Sequence, residues 1–160
     1  MKIRLLEHGD YPAASELLWK SFYHAEKRNC SMEGMELFRD LTSPVSLAMH
    51  CFSERLQLYG LFSPQEELLA VGGVKLPDRI LMLYVRFDQK KKGLGSKLLS
   101  YLESLCQGER ILLNSSDEAV SFYLKHSYHV ASSRTVDKGI SFTPMEKRMS
   151  RIFVEANKVK

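Results

Sequence analysis

The chain has 160 residues, of which 44% are hydrophobic and 26% charged, and this composition is typical of a soluble globular protein rather than a disordered one. No apolar stretch approaches the ~18 residues that a membrane-spanning helix requires. The formal net charge is only +4, which argues against an extended nucleic-acid-binding surface.

The N-terminal region predicts a short strand followed by helices. Lys2 to Leu6 alternates between polar and apolar residues, as in a strand. Apolar residues then repeat at three-to-four spacing and predict a first helix over Tyr11 to Glu26. Between Lys27 and His50 we predict further helix: Ser31 is suited to cap a short helix, and Pro44 is expected to break the segment that follows.

From Arg55 onward the apolar period changes to two, which indicates strands. Three such runs follow one another, and the last covers Ile80 to Val85. They predict three consecutive antiparallel strands. Gly72 and Gly73, inside the second run, indicate a bulge or a close approach of other backbone.

The stretch from Leu81 to Leu99 predicts a strand, a glycine-containing turn and a helix. After Gly93 and Gly95 an apolar helical period begins, with Leu94, Leu98, Leu102 and Leu105. Such a turn directs backbone N–H groups and the positive end of a helix at one point, which is an anion-binding arrangement. Lys90 to Lys92 add positive charge, and without them the net charge would be near neutral (+4 − 3 = +1). This local excess favours one phosphate-bearing ligand.

The C-terminal region predicts one helix between strands. Ile111 to Leu113 is a short apolar strand, suited to a buried position beside the strand before the glycine turn. Ser115 and Glu118 match a Ser-x-x-Glu capping box, which predicts the start of the next helix. Tyr128 to Arg134 and Gly139 to Lys147 are predicted as the final two strands.

This order of elements and two motifs within it resemble the GNAT superfamily of acyl-CoA-dependent N-acyltransferases. Val85 to Gly95 is similar to the family's cofactor signature, Gln/Arg-x-x-Gly-x-Gly/Ala, with Lys90 at the Gln/Arg position. Ala119 to Tyr128 is similar to the helix ending in Phe-Tyr-x-x-x-Gly-Phe/Tyr, with Ser127 at the glycine position. The resemblance implies an α/β (α+β) three-layer domain, with a mixed, mostly antiparallel sheet of about seven strands flanked by about four helices.

The resemblance also implies acetyl-CoA as cosubstrate and a set of residues that bind it. Backbone amides of the loop would bind the pyrophosphate, at Lys90, Lys91, Lys92, Gly93, Leu94, Gly95 and Ser96. The edge of the preceding strand, at Leu83, Tyr84 and Val85, would pair with the pantetheine arm where two parallel strands splay apart. Asn114 is a further candidate ligand of this arm, or else a turn residue.

Tyr123 is the candidate general acid, because a phenol with a pKa near ~10 can protonate a departing thiolate. The family has its tyrosine at this motif position. The alternative is a buried aromatic residue whose hydroxyl is bonded to backbone. No general base is identifiable from the sequence: Glu33, Asp40 and Glu54 are candidates by position only, and water could serve instead.

The implied reaction is acetyl transfer to a primary amine of a small molecule or peptide by direct attack, with no covalent enzyme intermediate. Two alternatives remain open. One is a CoA-binding or regulatory domain that has lost catalysis, for which Lys90 and Ser127 are the relevant departures. The other is an acetyltransferase directed at RNA or aminoacyl-tRNA, which the small net charge does not favour. A homodimer stays open, and no membrane partner is expected.

Neither a metal site nor a disulfide framework is expected. His126 and His129 are three residues apart but lie on either side of a predicted helix end, without a third ligand. The three cysteines are far apart in sequence, which favours a reducing, cytoplasmic location. We predict one domain over residues 1–160, in which the charged tail, residues 148–160, is either a short helix or loose.

Overall fold

The computed structural model describes residues 1–150. Within these residues the chain forms eight strands and five helices. In chain order they are β1 (Lys2–Leu5), α1 (Tyr11–Glu26), α2 (Met32–Leu41), α3 (Pro44–Ser53), β2 (Gln57–Phe62), β3 (Leu68–Lys75), β4 (Arg79–Val85), α4 (Leu94–Leu105), β5 (Arg110–Ser115), α5 (Val120–Lys125), β6 (His129–Val130), β7 (Thr135–Asp137) and β8 (Ile140–Arg148). This is the predicted mixed α/β architecture, with one strand and one helix more than expected.

The strands form one mixed sheet in the order β1-β2-β3-β4-β5-β8-β6, and β7 pairs with β8 beside this path. The predicted antiparallel run β2-β3-β4 is present. β4 and β5 are parallel but pair only at Arg79–Leu112 and Ile80–Leu113. β4 then continues to Val85 without β5 beside it. The two strands therefore splay apart at their C-terminal ends, as the resemblance implied.

Two hydrophobic clusters cover opposite faces of the sheet. α4 packs on one face through fully buried leucines, among them Leu98 and Leu102. α1 and α3 pack on the other through Leu18 and Leu47. A Cβ on Gly72 of β3 would lie 2.7 Å from Leu102 Cδ1, so glycine is what allows α4 to pack this closely. The close neighbour of Gly72 is a side chain rather than the predicted backbone, whereas the predicted bulge is present as a register shift between Gly73 and Val74.

The Lys27–His50 region contains two helices, each started by a serine. The Ser31 hydroxyl accepts the Gly34 N–H at 3.1 Å, and Ser43 accepts the Ser46 N–H at 3.2 Å. The expectation that Pro44 breaks this segment is wrong, because Pro44 is the first residue of α3. Proline fits there because a first-turn N–H has no helical partner to lose. This accounts for the additional helix.

The predicted strand over Tyr128–Arg134 is wrong in extent. The structure has the short strands β6 and β7 instead, and both pair with β8. Pro144 lies between these two pairings, and it has no N–H to donate. Arg134 lies outside both strands, and its guanidinium donates to Asp117 at 2.9 and 3.0 Å.

The predicted capping box at Ser115 and Glu118 is also wrong. Ser115 is still in β5, opposite Thr143 of β8, so its backbone is committed to the sheet. Its hydroxyl donates to the Ser116 carbonyl at 2.8 Å. α5 begins later, at Val120.

Residues 1–150 contain no helix that is both long and apolar enough to cross a bilayer. The prediction for the C-terminal tail concerns mainly residues 151–160, which lie outside the described residues, whereas Arg148 ends β8.

Candidate active site

A cleft of about 610 Å³ opens where β4 and β5 splay apart. Its walls come from the end of β4, the loop and N-terminus of α4, the start of α5 and one side of α1. Most of the predicted site residues line it, namely Leu83, Tyr84, Val85, Lys90, Lys91, Gly93, Leu94, Gly95, Ser96 and Tyr123. Segments that are far apart in sequence therefore meet in one space.

The loop before α4 has the backbone form of an anion site. Lys91 and Gly93 both have left-handed backbone, with φ of 65° and 77°. The first hydrogen bond of α4 runs from the Lys97 N–H to the Gly93 carbonyl at 3.1 Å. The N–H groups of Leu94, Gly95 and Ser96 consequently have no partner from the helix itself, and they lie at the positive end of its dipole. An anionic group would meet fixed donors at this point.

Glycine is needed at positions 93 and 95 for different structural reasons. Gly93 needs its left-handed φ, and a Cβ there would meet no atom within 4 Å, so the space around it is open. A Cβ on Gly95 would lie 3.4 Å from Phe122 and 3.5 Å from Val85. Gly95 therefore lets the first turn of α4 lie close to both β4 and α5.

The lysine side chains of the loop are engaged with neighbours. Lys90 Nζ lies 3.6 Å from Glu118 Oε1, and both residues line the cleft. Lys92 Nζ donates to Gln89 Oε1 at 3.0 Å, and Lys92 is not part of the lining. Exposed pairs of this kind are worth at most about 1 kcal/mol, so these contacts can exchange for a ligand. The backbone amides are the fixed part of the site.

Ser96 is connected to α5 through His126. Its Oγ lies 2.8 Å from His126 Nε2, and His126 Nδ1 lies 2.7 Å from the Phe122 carbonyl. Since a carbonyl only accepts, Nδ1 carries a proton, and in the neutral ring Nε2 accepts the Ser96 hydroxyl. His129 points elsewhere, with Nε2 3.1 Å from Glu146. In residues 1–150 no three His, Cys, Asp or Glu side chains converge to hold a metal ion.

Tyr123 lines the cleft with only 6% of its surface exposed. Its ring packs edge-on against those of Phe122 and Tyr128. Within residues 1–150 its hydroxyl has no hydrogen-bond partner. Burial raises the pKa of Tyr123, so the phenol keeps its proton at neutral pH. A group in this state can donate a proton into the cleft.

Tyr84 contributes its side chain as well as its backbone to the site. Its ring packs against Phe38 of α2 at a centroid distance of 5.8 Å. Burial raises the pKa of Tyr84, and the neighbouring Tyr123 and Glu26 raise it further. Tyr84 thus connects the wall that holds Tyr123 to the end of α1.

Asn114 is not brought to the cleft. It is exposed, opposite Pro144 of β8, and it is not part of the lining. Successive side chains of a strand point to opposite faces, and its neighbour Leu113 belongs to the cluster under α4. Asn114 faces the other way for this reason.

The sequence reasoning missed the contribution of α1. Ser21 and Ala25 line the cleft, and the Ser21 hydroxyl donates to the Val85 carbonyl at 3.1 Å. Glu26, the last residue of α1, is buried. The sequence does indicate that Glu26 is on the apolar side of α1, because it follows the buried Leu18 and Phe22 at intervals of four residues.

The three residues that the sequence offered as a general base by position do not reach the cleft. Glu33, Asp40 and Glu54 are all exposed, and none of them lines the cleft.

Both the sequence and the fold of the chain are similar to those of acetyltransferases. A sequence model described as "Acetyltransferase (GNAT) domain" matches residues 26–149. Among solved structures, a GCN5-related N-acetyltransferase from Rhodopseudomonas palustris is 21% identical with a TM-score of 0.80, over 92% of this chain and 95% of that one. No curated protein sequence is significantly similar.

Two further solved structures share the fold. PaiA N-acetyltransferase from Thermoplasma acidophilum, in complex with coenzyme A, is 21% identical with a TM-score of 0.76, over 93% of this chain and 100% of that one. A mutant of the spermidine N-acetyltransferase SpeG from Vibrio cholerae is 14% identical with a TM-score of 0.63, over 97% of both chains.

Proposed function

The chain belongs to the GNAT family of acetyltransferases, and from this premise we propose that it transfers an acetyl group from acetyl-CoA to a primary amine by direct attack on the thioester. The observation that carries the proposal is a single cleft lined both by the loop before α4 and by Tyr123. The loop offers donors for an anion, and Tyr123 offers a protonated phenol in the same cleft.

The cofactor end of the cleft fits a pyrophosphate with an extended arm. The N–H groups of Leu94, Gly95 and Ser96 would receive the pyrophosphate oxygens, and Lys90 would exchange its contact with Glu118 for phosphate. The arm would run along Leu83–Val85, where β4 no longer pairs with β5. Backbone groups of this edge would hold the arm by strand-like hydrogen bonds.

Tyr123 would complete the reaction as general acid. Attack by a neutral amine forms the C–N bond and expels a thiolate when the C–S bond breaks. A phenol that burial keeps protonated can transfer its proton to that sulfur. The nitrogen of the new amide gives up a proton, which restores the phenol. No covalent bond to the protein is required.

For the acceptor we propose a small cationic amine, with a peptide amine as the alternative. Glu118 lines the cleft, and Asp117 and Glu26 lie close by, so this part of the cleft is acidic. One structural neighbour is a spermidine N-acetyltransferase, and another was solved in complex with coenzyme A. A reducing cytoplasm is the proposed compartment, since the three cysteines are free.

The first experiment is calorimetric titration of the full chain with acetyl-CoA. Thiol release is then measured with a panel of amines that includes polyamines, free lysine and a lysine peptide. We expect saturable binding and thiol release with at least one cationic amine. Absence of binding overturns the proposal. Binding without thiol release on any amine would instead favour a regulatory CoA-binding domain.

A further inference from the structure

The carboxyl group of Glu26 is an unusual feature of the interior. Only 4% of the residue's surface is exposed, and within residues 1–150 its Oε1 is the one buried side-chain oxygen or nitrogen without a hydrogen-bond partner. Burying an unpaired carboxylate is unfavourable, and native structures usually satisfy such groups. A partner that arrives with the substrate would resolve this cost.

The charges around Glu26 favour a proton or a cation at this position. Burial raises the pKa of Glu26, and the negative charges of Asp117 and Glu118 raise it further, while Arg134 opposes them. Both guanidinium hydrogen bonds of Arg134 go to Asp117, so that arginine is already paired. Glu26 therefore holds a proton more tightly than an exposed glutamate, which suits a general base working near neutral pH.

Glu26 is not itself part of the lining of the reaction cleft, but it is next to residues that are. The preceding Ala25 lines the cleft, as do Tyr84 and Glu118, both of which interact electrostatically with Glu26. The remaining titratable neighbour is Cys30, whose N–H donates to the Glu26 carbonyl at 2.9 Å. Tyr84 in turn has Tyr123 as a neighbour. A proton-accepting group and a proton-donating group thus both lie near Tyr84.

We propose that Glu26 accepts the proton of the acceptor ammonium group, directly or through one water, and so produces the neutral amine that attacks the thioester. This inference rests on the proposed acetyltransferase function. One ammonium proton passes to the Glu26 carboxylate, and the nitrogen then forms the C–N bond. The second proton lost by the nitrogen restores Tyr123 after that residue has protonated the thiolate. Glu26 finally releases its proton to solvent, so the products are an acetylated amine, a free thiol and one proton.

The test compares Glu26→Gln with Glu33→Gln, an exposed glutamate of α2 outside the cleft. Turnover is measured against pH with the best acceptor of the amine panel, and acetyl-CoA binding is measured by calorimetry. We expect Glu26→Gln to lower kcat at neutral pH by about 100-fold or more and to move the acidic limb of the profile to higher pH, where the acceptor amine itself loses its proton. Its affinity for acetyl-CoA should stay within about two-fold of wild type, because the loop is intact. Raising the pH should restore part of the lost rate, since more of the amine is then neutral.

Two outcomes would overturn the role of Glu26: wild-type turnover in Glu26→Gln, or an unchanged acidic limb. If Glu26→Gln does not fold, Glu26→Asp decides, because withdrawing the carboxyl by one methylene must lower kcat and move the limb. An unchanged profile in that variant overturns the proposal. Failure of the wild type to release thiol with any amine rejects the proposed function itself, and this result is distinct from failure of the Glu26 assignment.

Discussion

The two ends of the cleft are built in different ways. The proposed cofactor end comes from one continuous stretch, Leu83 to Ser96, and depends on backbone features: the free edge of β4, the left-handed Gly93 and the first N–H groups of α4. The proposed acceptor end combines the end of α1 with the loop before α5 and with Arg134. The first end offers fixed dipoles, whereas the second offers side-chain charges whose protonation depends on burial. Changes at the two ends should therefore affect different steps.

The largest effect is expected from Tyr123→Phe, which removes only a hydroxyl from the lining of the cleft. Loss of a general acid typically lowers turnover by about 10²–10⁴-fold. Affinity for acetyl-CoA should hardly change, because the loop amides are untouched. The measurement combines thiol-release kinetics with calorimetry. Tyr101→Phe is the matched control, since Tyr101 of α4 packs against Tyr59 of β2 and does not line the cleft. A fall in affinity with unchanged turnover would contradict the assignment.

The next effect concerns the cofactor end. Gly93→Ala forces an L-residue into left-handed backbone, which costs about 1–2 kcal/mol. We expect a lower Tm and an acetyl-CoA Kd raised several-fold, because the loop relaxes away from its donor geometry. Gly9→Ala is the control: a Cβ there also meets no atom within 4 Å, but its φ lies outside the left-handed range. Equal behaviour of the two variants would show that the loop conformation is not required.

A smaller effect is expected at the acceptor end. There, a substitution should raise the stability of the chain, whereas Gly93→Ala lowers it. Because the pKa of Glu26 is raised, the folded chain binds more protons than the unfolded chain between the ordinary value near ~4.3 and the raised one. Stability is therefore lost as pH rises through this window. Glu26→Gln should have a higher Tm than wild type at pH 8, and the difference should shrink towards pH 4.

Thermal unfolding across this pH range provides the measurement, and Glu33→Gln should show no such pH-dependent difference. A variant less stable than wild type at pH 8 would mean that the carboxylate stabilises the fold. Stabilisation together with lost turnover would identify Glu26 as a residue kept for activity.

The smallest effect is expected from Lys90→Gln. The pair with Glu118 is largely exposed, so its loss should change stability by less than about 0.5 kcal/mol. Affinity for acetyl-CoA should fall by about two- to three-fold at low salt and by less at high salt, since an exposed charge is screened. Calorimetry at two ionic strengths checks this. A loss as large as that of Gly93→Ala would mean that the lysine charge, rather than the amides, dominates phosphate binding.

The sequence predicted the strand, glycine loop and helix at one end of the cleft because this information is local. Gly93 and Gly95 follow a strand-forming run and precede a clear helical period, and this order is sufficient to predict a strand, turn and helix. The first helix and the three antiparallel strands could be predicted for the same reason. Pro44 and Ser115 were misinterpreted because local rules allow two outcomes there, and the neighbouring helix or strand decides between them.

What the sequence by itself determined is therefore the family, the element order and the glycine loop, since these depend on residues that are adjacent along the chain. The tertiary structure decided which side chains meet. It turned Asn114 away from the cleft through the alternation of β5, joined Ser96 to His126, and buried Glu26 beside Tyr84, Asp117 and Glu118. The pKa of Glu26 depends on its distance from water and from charges contributed by other segments, and these distances exist only once the chain has folded.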